Sequence, residues 1–471
     1  MTGVLWTGEE FLKAVGGRVV GSAPSAVSGI SIDSRSLMPG EAFFAIKGDR
    51  VDGHDYVRDA LDNHASVVVV EESKLGRFSR VQPAIVVDDV LKALERLAVA
   101  ARARAKGKII AVTGSVGKTS TKEMLRLVLS ASGSVHASVA SFNNHWGVPL
   151  TLARLPPDAD FGVFEIGMNH AGEITPLTKM VRPHIAIVTN VEPVHLEHFP
   201  SVEAIADAKA EIFAGLEPGG YFAVLNADNP HFERLSLVAL KSGAQVMSFG
   251  QAKDANARLL MHSVLSDRTA ITASVLGKDV AYHLGAPGSH LVLNSLAALL
   301  AARLMELDVK AGAAALADFK PSTGRGERHV LTVNGGRATL LDESYNANPA
   351  SMRAAIALLG QTKATRRIAV LGDMLELGEK ADDMHRDLLW ALEKARIDLL
   401  FCAGPHMRAL YDELPEKRRG GWAEVSTDLE PRVLGAIRPN DAIMVKGSNG
   451  SRMSLIVKAL NARFSAGNAP A

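Results

Sequence analysis

Apolar residues along this chain alternate between two spacings. Between Ser31 and Asp89 the short β-rich runs AFFAIKG, ASVVVVEES and AIVVDD are divided by polar loops, and VLKALERLAVAARARAKG then shows helical periodicity. That helix reads as a connector ending at Gly107. From Lys108 the run KIIAVTG enters a glycine-rich turn and then the helix-forming TSTKEMLRLVLS. The strand-like runs DFGVFEIGM, HIAIVTNV and YFAVLNAD follow, separated by helical segments, a pattern that builds a parallel sheet covered on both faces. After the loop KPSTGRGER the alternation restarts with ATLLDES, RRIAVLGDM, IDLLFCAG and DAIMVKGS. The pattern predicts an α/β protein of three domains, residues 1–107, 108–320 and 321–471. They are a small N-terminal α/β module, a central parallel sheet flanked by helices and opening on the glycine-rich loop, and a C-terminal Rossmann-like α/β domain.

Length agrees with this division, because 471 residues exceed what one ordinary core accommodates. The longest apolar helix, LVLNSLAALLAARLMEL, is interrupted by Asn294, Ser295, Arg303 and Glu306 and reads as a buried helix of a soluble protein. Glu9 and Glu10 fall where a signal peptide needs an unbroken apolar stretch, so no export signal is expected. The single cysteine, Cys402, excludes an intrachain disulfide and suits a reducing compartment, where its expected role is core packing. A cytoplasmic location follows as an expectation. With 52 Lys and Arg against 51 Asp and Glu there is no net field for a long polyanion, which argues against nucleic acid but leaves room for a small anionic ligand.

The chemistry begins at Thr113-Gly114-Ser115-Val116-Gly117-Lys118-Thr119-Ser120, which joins a strand to a helix. Backbone N–H groups and a helix N-terminus at such a turn cradle phosphates, Lys118 is placed to bridge the terminal ones, and the Thr119 hydroxyl suits Mg²⁺. This P-loop is a variant: the pattern GxxxxGK[ST] asks for glycine where Val112 stands. A purely structural glycine turn is the competing reading, and Gly-Lys-Thr directly after the turn favours nucleotide. A nucleotide-gated switch would carry the same loop, and acceptor-dependent product formation separates it from an enzyme.

Glu165 in VFEIGMNH and His195 in VEPVHLEHF follow strands of the same sheet, the edge at which open α/β sheets bind ligands, and could complete a metal site. Lys209 has Ile205, Ala206, Ile212 and Phe213 as its helical neighbours, whereas Glu203, Asp207 and Glu211 form a separate acidic stripe. A lysine on the apolar face tends to be neutral, and a neutral amine reacts with carbon dioxide to give a carbamate. A lysine snorkelling along the surface is the alternative.

Taken together these segments resemble the amide-forming Mur ligases over nearly the whole chain. DSRSLMPGEAFFAIKGDRVDGHDY is similar to that family's uridine-nucleotide module, which implies roles for Ser34, Arg35, Lys47 and His54. TGSVGKTS resembles its ATP loop, and FNNHWGVPLTL the segment that places Asn143 and Asn144 near substrate or phosphates. The resemblance maps magnesium onto Glu165 and His195, a carbamylated lysine onto Lys209, and the adenine-side contact onto Asn294 in GSHLVLNSLAAL, with Leu291 departing from the asparagine common in the family. In the third domain DESYNANPAS, VLGDMLELG and VKGSNGSRM resemble the branch that takes a D-alanyl-D-alanine acceptor, which implies Tyr345, Asn346, Asn348 and Asp373, with Pro349 beside them. Arg325, in the glycine-rich hinge, is a candidate phosphate clamp. The resemblance therefore implies an ATP- and Mg²⁺-dependent ligase whose substrates are ATP, a UDP-N-acetylmuramoyl-tripeptide and D-alanyl-D-alanine, acting as a monomer in the cytoplasm without nucleic acid or an integral membrane segment.

Overall fold

The computed structural model describes residues 3–48, 51–78, 81–139, 141–194, 196–216, 221–265 and 267–464. The α/β architecture expected from the alternation is present, carried by three sheets of five, nine and six strands and a small two-stranded pair.

In the first sheet Ile30–Ser31, Ala42–Phe44, Val67–Glu71 and Ala84–Val87 run parallel, and Arg18–Val20 closes one edge antiparallel. Its middle strands are continuous apolar runs because both faces are covered. The helix Val90–Arg104 starts at the cap residue Asp89, which accepts the Lys92 N–H, and buries Val90, Leu94, Leu97 and Ala101 against this sheet. Its last turn reaches the next module: Arg102 donates to the carbonyls of Val181 and Arg182 at 2.7 and 2.8 Å. The Arg104 guanidinium sits 3.3 Å over the Trp6 ring, and Trp6 donates to the Ala153 carbonyl at 3.1 Å.

In the nine-stranded sheet Lys108–Thr113 is the inner strand, flanked by Phe161–Glu165 and Ile185–Val188. Phe222–Asn226, Gln245–Gly250 and Ala257–Val264 continue it in parallel, and Thr269–Val275 and Lys278–Leu284 extend it antiparallel. The helices Lys118–Ser130 and Ser289–Leu304 pack together on one face, in a core with Ile110, Val112, Leu125 and Leu296. This accounts for the apolar run around Asn294: the helix is buried over most of residues 291–302 in this core, and among the described residues no helix is long and apolar enough to cross a membrane.

The six-stranded sheet runs in the order Glu327–Val333, Gly336–Glu343, Asp441–Lys446, Arg366–Gly372, Leu399–Ala403, Arg419–Ala423, with only the first strand antiparallel. The strand latest in sequence, Asp441–Lys446, lies between two that precede it in the chain. Cys402 is fully buried in this sheet, and burial pushes its thiol up from the ordinary value.

Candidate active site between the central and third modules

The P-loop takes its shape from two glycines. Gly114 and Gly117 have φ of +149° and +87°, and a methyl group on Gly117 would lie 2.9 Å from the Asn294 amide atoms. At the variant position, Val112 is an interior residue of the strand, paired in register with Glu165 and Ile187. The loop therefore starts after Thr113, and nothing at residue 112 requires a glycine. Gly117 precedes the helix Lys118–Ser130, whose first N–H groups open toward the cavity.

Glu165 ends its strand and is almost wholly buried, accepting from the Thr119 hydroxyl at 2.9 Å and from the Asn143 amide at 2.7 Å. The Ser141 hydroxyl lies 3.3 Å from that of Thr119, and Arg325 donates to Ser141 at 3.3 Å from the third module. Arg325 in turn lies 4.0 Å over the Tyr345 ring. A chain of polar contacts thus runs from Asn143 through Glu165, Thr119 and Ser141 to Arg325. Lys118 donates to the Gly114 carbonyl at 2.7 Å; burial lowers its pKa, and Arg325 adds to the effect while Glu165 opposes it. Lys209 is buried close by, and burial, followed by the Lys118 charge, holds its amine well below the ordinary lysine value.

These groups surround a cavity of roughly 410 Å³. Ser115 to Ser120, Asn143, Glu165 and Asn294 line it from the central module, and Arg325, Tyr345, Asn346 and Asn348 from the third. That volume lies within the ordinary range for a small-molecule site.

Several expected residues lie elsewhere. Thr113, Gly114, Asn144, Lys209 and Asp373 do not line the cavity. The Asn144 side-chain oxygen Oδ1 accepts the Gly147 N–H at the start of the short helix Gly147–Ala153. Asp373 accepts from the backbone of His406 and Met407 and borders a separate crevice. Burial raises its carboxyl from the ordinary value, although those N–H groups pull the other way. Ser34, Arg35, Lys47 and His54 sit in the first module, away from this cavity. There the His54 ring is buried, Nδ1 lies 2.7 Å from Asp52, and Nε2 accepts the Glu71 N–H at 3.0 Å. Both nitrogens are occupied in holding the 52–56 turn to the sheet. Arg35 pairs with Asp33 at 2.6 Å and is exposed, the Ser34 carbonyl accepts from Asn63, and Lys47 bridges to Asp52 through its backbone. His195 lies outside the described residues. Reasoning from the sequence passed over Ser141, Glu343, Lys446 and Ser448. Ser141 stands immediately before FNNHWG, and Lys446 and Ser448 lie within VKGSNGSRM, where no local signal sets them apart.

Three family models match the chain: the Mur ligase family catalytic domain over residues 26–104, the Mur ligase middle domain over 112–302, and the Mur ligase glutamate ligase domain over 324–449. A protein of Rickettsia prowazekii called UDP-N-acetylmuramoyl-tripeptide--D-alanyl-D-alanine ligase is 33% identical, over 91% of this chain and 94% of its own length. The chain belongs to the Mur ligase family. The crystal structure of MurF from Acinetobacter baumannii superposes on this Mur ligase with a TM-score of 0.84 at 27% identity, covering 97% of this chain and 98% of that one. A MurF ligase from Thermotoga maritima, solved in complex with ADP, gives 0.76 at 25% identity, with coverage of 92% and 98%.

Proposed function

We propose that this Mur ligase joins D-alanyl-D-alanine to UDP-N-acetylmuramoyl-tripeptide, forming one amide bond at the expense of ATP and giving the pentapeptide precursor, ADP and phosphate. The observation that carries the reading is the shared cavity: Lys118 and Thr119 of an ATP-type loop face Arg325, Tyr345, Asn346 and Asn348 across roughly 410 Å³.

A carboxylate is a poor acyl donor, so the tripeptide's terminal carboxylate first attacks the γ-phosphate of ATP, breaking the bond to ADP and leaving an acyl phosphate. Lys118, released from the Gly114 carbonyl, neutralises charge on the terminal phosphates, and the N–H groups at the start of the helix Lys118–Ser130 hold their oxygens. The dipeptide amine then attacks the acyl carbon; phosphate leaves and the nitrogen loses its proton. Arg325, fixed over Tyr345, supplies a second positive group from the opposite wall. Asn294 packs against Gly117 and takes the adenine side.

Thr119 and Glu165, with Ser141 beside them, offer a cluster of hard oxygens at the phosphate end of the cavity, a donor set that fits Mg²⁺. When bound there, Mg²⁺ offsets the repulsion between carboxylate and phosphate. We assign His195 and a carbamylated Lys209 to a second Mg²⁺; a buried amine whose pKa is drawn down is the form that takes up carbon dioxide. Ser34, Arg35 and Lys47 are assigned to the uridine nucleotide. We take the enzyme to be a monomer, since one chain supplies both walls of the cavity, and to act in the cytoplasm, where its substrate ATP is found.

Tripeptide labelled with ¹⁸O in its terminal carboxylate tests the route. Label should pass to the released phosphate in step with product; unlabelled phosphate beside labelled pentapeptide would overturn the acyl-phosphate step.

A further inference from the structure

Three loops, residues 344–348, 373–377 and 447–450, form part of the cavity wall on the third module. They follow the adjacent strands Gly336–Glu343, Arg366–Gly372 and Asp441–Lys446, the last of which lies between the other two. Lys446 ends that middle strand and is buried. Its ammonium donates to the Asn346 carbonyl at 3.0 Å and lies 3.5 Å from both a carbonyl and a carboxylate oxygen of Glu343. Two residues further on, the Ser448 hydroxyl donates to the Ala347 carbonyl at 3.3 Å and accepts the Leu375 N–H at 2.9 Å. The Ser448 N–H donates to the Asp373 carbonyl, also at 2.9 Å.

One short segment therefore fastens both flanking loops to the middle strand. Burying an ammonium is costly unless hydrogen bonds compensate it, and apolar packing alone would favour a valine or leucine at this strand end. The compensating groups are the Asn346 carbonyl, in the loop that carries Asn346 and Asn348, and Glu343, the strand residue that leads into it. Burial lowers the Lys446 pKa, and Glu343 opposes that, favouring the charged form that donates.

We propose that Lys446 and Ser448 are positioning residues for the acceptor: they hold loops 344–348 and 373–377 so that the dipeptide amine is aimed at the acyl phosphate. The proposal rests on the acceptor reading of Asn346 and Asn348. Both side chains act through these loops, and neither is assigned a bond to the transferred phosphoryl group.

Steady-state kinetics on the full-length enzyme, varying one substrate at a time, test it in Lys446→Met and Ser448→Ala. Each variant should raise the apparent KM for D-alanyl-D-alanine by about tenfold or more, the size expected when a buried hydrogen-bonded anchor is lost. The KM values for ATP and for the nucleotide-linked tripeptide should stay within about twofold. Lys446→Arg, which keeps a charged donor, should recover part of the loss. An unchanged dipeptide KM, or equal losses for all three substrates, would overturn the proposal. If Lys446→Met does not fold, Ser448→Ala decides alone, because it removes only a hydroxyl. Asn346→Ala separates the two levels: a raised dipeptide KM in it, with none in the Lys446 and Ser448 variants, rejects positioning but keeps the acceptor wall. No dipeptide effect in any of the three rejects both.

Discussion

Lys118 and Lys446 line the cavity and Lys209 is buried behind Lys118, and the loss of water around each amine draws it below its ordinary value of 10.5. At Lys209 folding must remove a proton that the unfolded chain keeps, so this site opposes folding most at low pH, and the opposition fades as pH rises toward 10.5. In carbon-dioxide-free buffer Lys209→Met should therefore melt higher than the parent, with the gain largest at acidic pH and shrinking toward alkaline pH. A gain that grows with pH would contradict the assignment of a depressed pKa. For activity, Lys209→Ala should be nearly inactive and partly rescued by short carboxylic acids standing in for the carbamate oxygens, whereas Lys209→Arg keeps a positive charge and should not work. Turnover rates with and without added acetate or formate check both statements. Lys118→Ala should abolish ligation at a nearly native melting temperature, since in the fold that side chain gives one hydrogen bond to a loop carbonyl.

The helix Pro349–Gln361 shows how one residue can carry two jobs. Asn348 is its N-cap: Oδ1 accepts the Ser351 N–H at 2.8 Å, Ser351 returns a bond to the Asn348 N–H, and Pro349 opens the first turn. Asn348→Ala should then lower stability by about 1 kcal/mol besides raising the dipeptide KM, whereas Asn348→Ser keeps the cap and should restore the melting temperature but not the KM. Restored KM in the serine variant would make Asn348 a cap and nothing more. Elements such as this were legible from local signals: Asn-Pro before an apolar run, Gly-Lys-Thr after a strand, and the switch from two-residue to helical spacing. Lys446 and Ser448 were not, because what they fasten depends on which strands become neighbours, and the strand Asp441–Lys446 lies between two that stand about a hundred and about seventy residues earlier in the chain. The partners of His54 were hidden for a related reason: nothing near it in the sequence announces the Glu71 N–H that occupies its second nitrogen.

Across the whole molecule the modules are joined unequally. Arg102, Trp6 and Arg154 tie the first to the second through buried or half-buried side chains, the last by a 2.6 Å bond from Arg154 to the Ile30 carbonyl. Between the second and third, the described contacts include the 3.3 Å bond from Arg325 to Ser141 and a backbone bond from Glu197 to Glu376 at 3.2 Å. The ATP loop and the acceptor wall therefore meet through polar contacts that can part and re-form, as a lid that must admit three substrates requires. Substrate binding should tighten this interface and exclude water from the acyl phosphate. The central claim is that one cavity couples ATP cleavage to acyl transfer onto the dipeptide. Mass spectrometry of a mixture of enzyme, ATP, Mg²⁺, UDP-N-acetylmuramoyl-tripeptide and D-alanyl-D-alanine, read beside phosphate release with each peptide substrate omitted in turn, tests it most directly. The account predicts the pentapeptide mass, and sustained phosphate release only with both substrates present; continued release without the dipeptide, or no pentapeptide with everything present, would contradict it.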